Sequence, residues 1–226
     1  MILRDKVKDS PEAARMAPFF IFLLLTSAPM VFGPDSQYIF YALKTLVGVW
    51  MIWEIWPLVP EMRWAVSWEA VVVGIGVCVM WVGINPYYPM NHIFFKPTPG
   101  DDWNPFARYG EHSLVAWFLA CWRIFGMTFV VPPLEEIFYR SFLYRYFIRY
   151  NFLALPLNTF HFSSFLVTSA MFGFSHYQWL AGILCGFAYQ WLVIRKNRLG
   201  DAMTAHAITN FLLGVWVLWK HDWQFF

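Results

Sequence analysis

Residues 113–143 read SLVAWFLACWRIFGMTFVVPPLEEIFYRSFL. The first part, 113–131, carries a single charged residue, Arg123, and is long enough to cross a hydrocarbon core about 30 Å thick. Pro132 and Pro133 then suit the first turn of a new helix, where amides have no intrahelical acceptor to lose. The following apolar segment, 134–150, holds Glu135, Glu136 and Arg140 among residues that belong in lipid. Working outward, further apolar segments lie at 17–33, 38–56, 65–84, 160–176, 179–194 and 202–219. The pattern predicts an all-α fold: a polytopic transmembrane bundle of about eight helices, forming a single integral membrane domain over 1–226.

Composition excludes the soluble classes. Only 13% of the 226 residues are charged, against roughly 25% in soluble domains. Apolar residues make 59% and aromatic residues 22%, more than so few charges could screen from water. The net charge of +2, with no basic run interleaved with aromatics, is too small to suggest a nucleic-acid partner, and none is expected. Cys78, Cys121 and Cys185 lie in apolar segments without CxxC spacing and read as small buried hydrophobes. Arg4, Lys6, Lys8 and Arg15 precede the first apolar run as in a signal peptide, but Pro29 spoils the small-residue cleavage site, so this run reads as a retained helix. The stretch 85–112, rich in proline and aromatics, reads as an interfacial loop or partial lid. If all eight segments cross, lysine and arginine show no sidedness; a half-inserted 134–150 leaves seven crossings and a normal positive-inside pattern.

Ionisable side chains inside a bilayer are costly, by about 2.5–3.5 kcal/mol at its centre on insertion scales, and mark function by default. Glu136 and Arg140 are four apart on one helical face and can pair. Glu135 is rotated about 100° away and stands five residues from the same arginine, which leaves its carboxylate the freer one. Phe172-Gly-Phe-Ser-His176 ends one apolar segment with a histidine, and His206-Ala-Ile-Thr-Asn210 puts an imidazole and a carboxamide on one face of another. Each site has a plainer reading taken singly: carboxylates complementing a helix dipole, a packed histidine, an interhelical asparagine. Together they relieve one another's desolvation by converging on one pocket. The other histidines (His92, His112, His161, His221) fall in loops or at segment ends, where interfacial solvation explains them. Lys44, Glu54 and Arg123 read as interhelical pairs or snorkelling ends, with Arg123 also a candidate for shaping the site, and the tryptophans Trp50, Trp53, Trp56, Trp64 and Trp68 as an interfacial belt.

A buried carboxylate beside an imidazole can deprotonate water, and an imidazole with a carboxamide can donate to an oxyanion, which is the equipment of peptide hydrolysis. Two histidines and a glutamate also make a zinc shell, although HExxH is absent, and no GxSxG marks a serine nucleophile.

The set Glu135-Glu136-x-x-x-Arg140, Phe172-x-x-x-His176 and His206-x-x-x-Asn210 resembles, in order and spacing, the three motifs of the CAAX proteases and bacteriocin-processing enzymes, the Abi or type II CAAX prenyl endopeptidase family. The likeness covers residues 112–216. The phrase VVPPLEEIFYRSFL further resembles a bacterial branch associated with exosortase sorting systems. The resemblance implies an intramembrane endopeptidase with Glu135 as general base, His176 helping to activate water, and His206 and Asn210 stabilising the oxyanion. Glu136, Arg140 and Phe172 would order the site. It implies a peptide or protein substrate, lipidated or membrane-bound, in a bacterial inner membrane; prenyl specificity need not carry over. No cofactor is required by this reading. Two alternatives stand beside it: a zinc-dependent peptidase with Glu135, His176 and His206 as ligands, and a non-catalytic scaffold or immunity protein of the same fold. A proton-coupled transporter ranks below these, because the polar residues cluster in one half of the chain.

Overall fold

The computed structural model describes residues 2–92 and 103–226, and every regular element among them is helical. They run α1 Ile2–Val7, α2 Pro11–Phe32, α3 Gln37–Leu58, α4 Trp68–Tyr87, α5 Pro105–Tyr109, α6 Leu114–Tyr146, α7 Phe162–Phe174, α8 Trp179–Lys196 and α9 Gly200–Lys220. Five of them (α2, α3, α4, α6 and α9) are long and apolar enough to cross a membrane. This is an all-helical integral membrane protein, as the apolar segments predicted. Large residues exposed on its sides, such as Leu24, Trp53, Val79, Phe118 and Phe162, face a solvent in which apolar surface carries no penalty.

One boundary differs from expectation. Segments 113–131 and 134–150 form a single helix of 33 residues, about 50 Å long at normal helical rise, so Pro132 and Pro133 lie inside it and do not start it. The helix survives because Gly126–Val130, just before the prolines, is wound as a π-turn with i→i+5 bonding. Ile137–Leu143, just after the glutamates, is π-wound as well. Of the stretch expected to be an interfacial loop, 93–102 lie outside the described residues, and 105–109 form α5.

Small residues set the helix spacing. A Cβ on Gly74 of α4 would fall 2.7 Å from the Ala205 carbonyl of α9, and one on Gly173 of α7 would fall 2.3 Å from Ile183 of α8. Backbones this close seat α9 against α4 and α8 against α7.

At the end of the bundle where α2 starts and α6 ends, Glu61 ties the two halves of the chain together. Its Oε1 accepts from Arg15 Nε (2.9 Å) and Nη2 (2.7 Å), from Arg145 Nη2 (3.2 Å) and from the Ser141 hydroxyl. Elsewhere the charges read as interhelical pairs or snorkelling ends have partners on other elements. Arg4 binds Glu54 through its backbone N–H (3.0 Å), and Lys44 Nζ donates to Thr26 (3.2 Å). Arg123 is walled by the rings of Trp103 (4.4 Å), Tyr41 (4.7 Å) and Phe226 (5.1 Å). Cys78 and Cys185 are buried as expected, but Cys121 is exposed, because it faces outward from α6.

Two outcomes follow. Gly173→Ala should cost about 1–3 kcal/mol by overpacking, read as a lowered thermal midpoint in detergent. Burial pushes the Glu61 carboxyl upward, but the Arg15 charge and the Ser141 bond outweigh it and hold the group below its ordinary value of 4.5. A depressed carboxyl stabilises the fold fully above pH 4.5 and loses that contribution as pH falls through its folded value. Wild type should therefore exceed Glu61→Gln in thermal midpoint near pH 6, and the gap should close on acidification below about 4.5.

Candidate active site

The centre of the site is the Glu136 carboxylate, which is wholly buried. Arg140 Nε lies 3.2 Å from its Oε2, as the i,i+4 spacing predicted, and His206 Nδ1 lies 3.0 Å from its Oε1. An ionised carboxylate only accepts, so His206 carries its proton on Nδ1 and turns Nε2 elsewhere. That Nε2 is 3.9 Å from Glu135 Oε2.

Glu135 is the freer carboxylate, with 17% of its side chain exposed against none of Glu136. Among the described residues, Glu135 Oε2, Glu136 Oε2 and both terminal nitrogens of Arg140 have no hydrogen-bond partner, although Arg140 Nε stands 3.2 Å from Glu136 Oε2. Donors and acceptors thus stand side by side among aromatic rings.

Phe172 is the hub of those rings. The Arg140 guanidinium stacks over it at 4.2 Å, His176 packs against it at 4.7 Å, and His206 meets it edge-on at 6.0 Å. His176 Nδ1 is 2.7 Å from the Phe172 carbonyl, which can only accept, so the proton is again on Nδ1 and Nε2 is left with its lone pair. His176 lies within electrostatic reach of Glu135, Arg140 and His206. Trp81 of α4 closes over it at 5.6 Å.

Asn210 lies one turn beyond His206, half-buried, and its Nδ2 donates to the Met127 carbonyl on α6 at 2.7 Å. The helices therefore bring together Glu135, Glu136, Arg140, Phe172, His176 and His206, with Asn210 braced against α6 beside them. Arg123 is held in its aromatic box and makes no contact with this group.

Two contributors were invisible in the sequence. Tyr189 of α8 stacks on the His206 ring at 5.1 Å, and its hydroxyl donates to Thr209 at 2.7 Å. Thr209 in turn donates to the Gly74 carbonyl at 2.8 Å, which fixes α9 and its histidine against α4. A tyrosine and a threonine within apolar helices carry no spacing signal; only the fold shows that they brace the imidazole.

The residues do not fit the zinc alternative. Both histidines leave Nε2 free, as a metal-bound imidazole does, but no three His, Cys, Asp or Glu groups among the described residues stand where they could share an ion.

Removing Glu136 would strand Arg140 in the interior. Glu136→Ala should cost about 3–5 kcal/mol. Glu135→Gln should change stability by less than about 1 kcal/mol, since Glu135 makes no ion pair with Arg140. Thermal unfolding of the two variants in detergent checks the contrast.

The site lies within the stretch that comparison with known proteins singles out. The family model described as type II CAAX prenyl endopeptidase Rce1-like matches residues 116–212, inside the 112–216 expected from the motifs. No curated protein and no solved structure matches the chain. The matched stretch contains both glutamates, Arg140, Phe172, both histidines and Asn210. The segment that builds this site is thus similar to the Rce1-like type II CAAX prenyl endopeptidases, a family of membrane proteases.

Proposed function

We propose that the protein is an intramembrane endopeptidase that hydrolyses a peptide bond with water activated by Glu135. The observation that carries this reading is the unequal treatment of two adjacent carboxylates. Glu136 is fully buried with Arg140 Nε at 3.2 Å and His206 Nδ1 at 3.0 Å, while Glu135 is 17% exposed and has His206 Nε2 no nearer than 3.9 Å. In the proposed reaction, Glu135 takes a proton from water as the oxygen attacks the carbonyl carbon. The lone pair of His176 Nε2 accepts that water's second hydrogen bond and orients it. The carbonyl oxygen becomes an oxyanion, which receives hydrogen bonds from Asn210 and from His206 Nε2, the latter as imidazolium because Nδ1–H is already given to Glu136. Collapse of the intermediate breaks the C–N bond, and the proton held by Glu135 passes to the departing amine.

The substrate we infer is a peptide or a lipidated or membrane-bound protein. A bacterial inner membrane and an association with an exosortase sorting system complete the proposal; they rest on the likeness of residues 130–143 to that branch. The scaffold alternative is the weaker one, because a non-catalytic homologue has no use for an unpaired Glu135 beside an intact Glu136–Arg140–His206 network.

The test is cleavage by the purified chain in detergent, offered a lipidated CAAX-type reporter and host membrane proteins. Glu135→Gln should lower cleavage by about 10²–10⁴-fold, the range for a general base, with no effect of chelator on wild type. Equal cleavage by both forms would remove Glu135 as the base.

A further inference from the structure

The π-turn before the glutamates has a consequence for Asn210. In an α-helix the Met127 carbonyl would accept from the Val131 N–H, four residues on. Here the Val131 N–H bonds the Gly126 carbonyl instead, five residues back. With i→i+5 winding, the next donor for Met127 would be residue 132, and residue 132 is proline, which has no N–H. The Met127 carbonyl is therefore deprived of both donors its own helix could offer. A carbonyl left bare in a membrane interior costs several kcal/mol, so another group must satisfy it. Asn210 Nδ2 does so at 2.7 Å.

A carboxamide nitrogen has two hydrogens. One is committed to Met127, and the Asn210 side chain makes no other hydrogen bond among the described residues. We propose that Pro132 is a positioning residue: by leaving the Met127 carbonyl without a helical donor, it creates the acceptor that orients the Asn210 carboxamide and leaves the second N–H for the oxyanion. This rests on the peptidase reading above and adds to it a residue that lies outside the three motifs. The proline also sits three residues before Glu135, so one turn of α6 sets both the base and the alignment of its oxyanion donor.

The inference separates activity from stability in an unusual way. A proline inside a helix costs about 3 kcal/mol relative to alanine, so Pro132→Ala should keep or raise the thermal midpoint. The same substitution supplies an N–H that competes for the Met127 carbonyl and releases Asn210. Turnover should therefore fall at least ten-fold with KM within two-fold of wild type. The decisive measurement is a double-mutant cycle with Asn210→Ala on folded, monodisperse protein. If Pro132 acts through Asn210, the double variant turns over no more slowly than Asn210→Ala alone. Losses that multiply, or a Pro132→Ala enzyme with wild-type turnover, would overturn the proposal. Glu135→Gln assayed in parallel tells the two readings apart. An active Glu135→Gln enzyme removes the peptidase mechanism itself, whereas an inactive one with multiplying losses removes only the role of Pro132.

Discussion

A carboxylate that neither water nor lipid can neutralise must find its counter-charge inside the protein, and Glu136 finds two partners. Arg140 reaches it from one turn further along α6, and His206 reaches it from α9. Burying this group without them would cost several kcal/mol, so the carboxylate, the guanidinium and the imidazole stand or fall as a unit. The rest of the site depends on it. Arg140 seats Phe172, Phe172 seats His176, and the orientation forced on His206 turns its Nε2 toward Glu135. In the proposed mechanism the chemistry falls to Glu135, because Arg140 and His206 Nδ1 are engaged by its neighbour.

The same rule of internal satisfaction shapes the backbone of α6. Two prolines in mid-helix remove donors, and i→i+5 winding moves the resulting gap to the Met127 carbonyl, where a side chain from α9 closes it. On the other flank of the glutamates, the π-wound turn at 137–143 carries Ser141, which is bound to Glu61 between α3 and α4. The glutamate pair thus lies between two irregular turns, each fixed from outside the helix. Irregular winding of this kind is less stable than α-helix by itself, and tertiary partners hold it in register. The N-terminal part of the chain, which the family model does not cover, contributes here through Arg15 and Glu61.

Much of this was legible beforehand. Bilayer thickness makes segment length a reliable guide to the helices, and the cost of buried charge made Glu135, Glu136 and Arg140 stand out. The pairing of Glu136 with Arg140 followed from a spacing of four, since helix geometry alone brings those positions together. The break expected at Pro132 was wrong for a physical reason: a proline ends a helix only if the carbonyls it deprives have no other donor. Neighbouring helices supplied one, and nothing local to 126–133 shows that they would.

What the amino-acid sequence determined by itself was the solvent, the all-helical class, the polar residues that must seek one another, and which glutamate would be paired. Those properties depend on length, composition and spacing within single helices. The tertiary structure alone decided which ring nitrogen of each histidine is left free, that Tyr189 and Thr209 brace His206, and that Asn210 is anchored on α6. These are contacts between helices far apart in the chain. They are set by how closely glycine-faced helices approach, a distance that no single helix encodes.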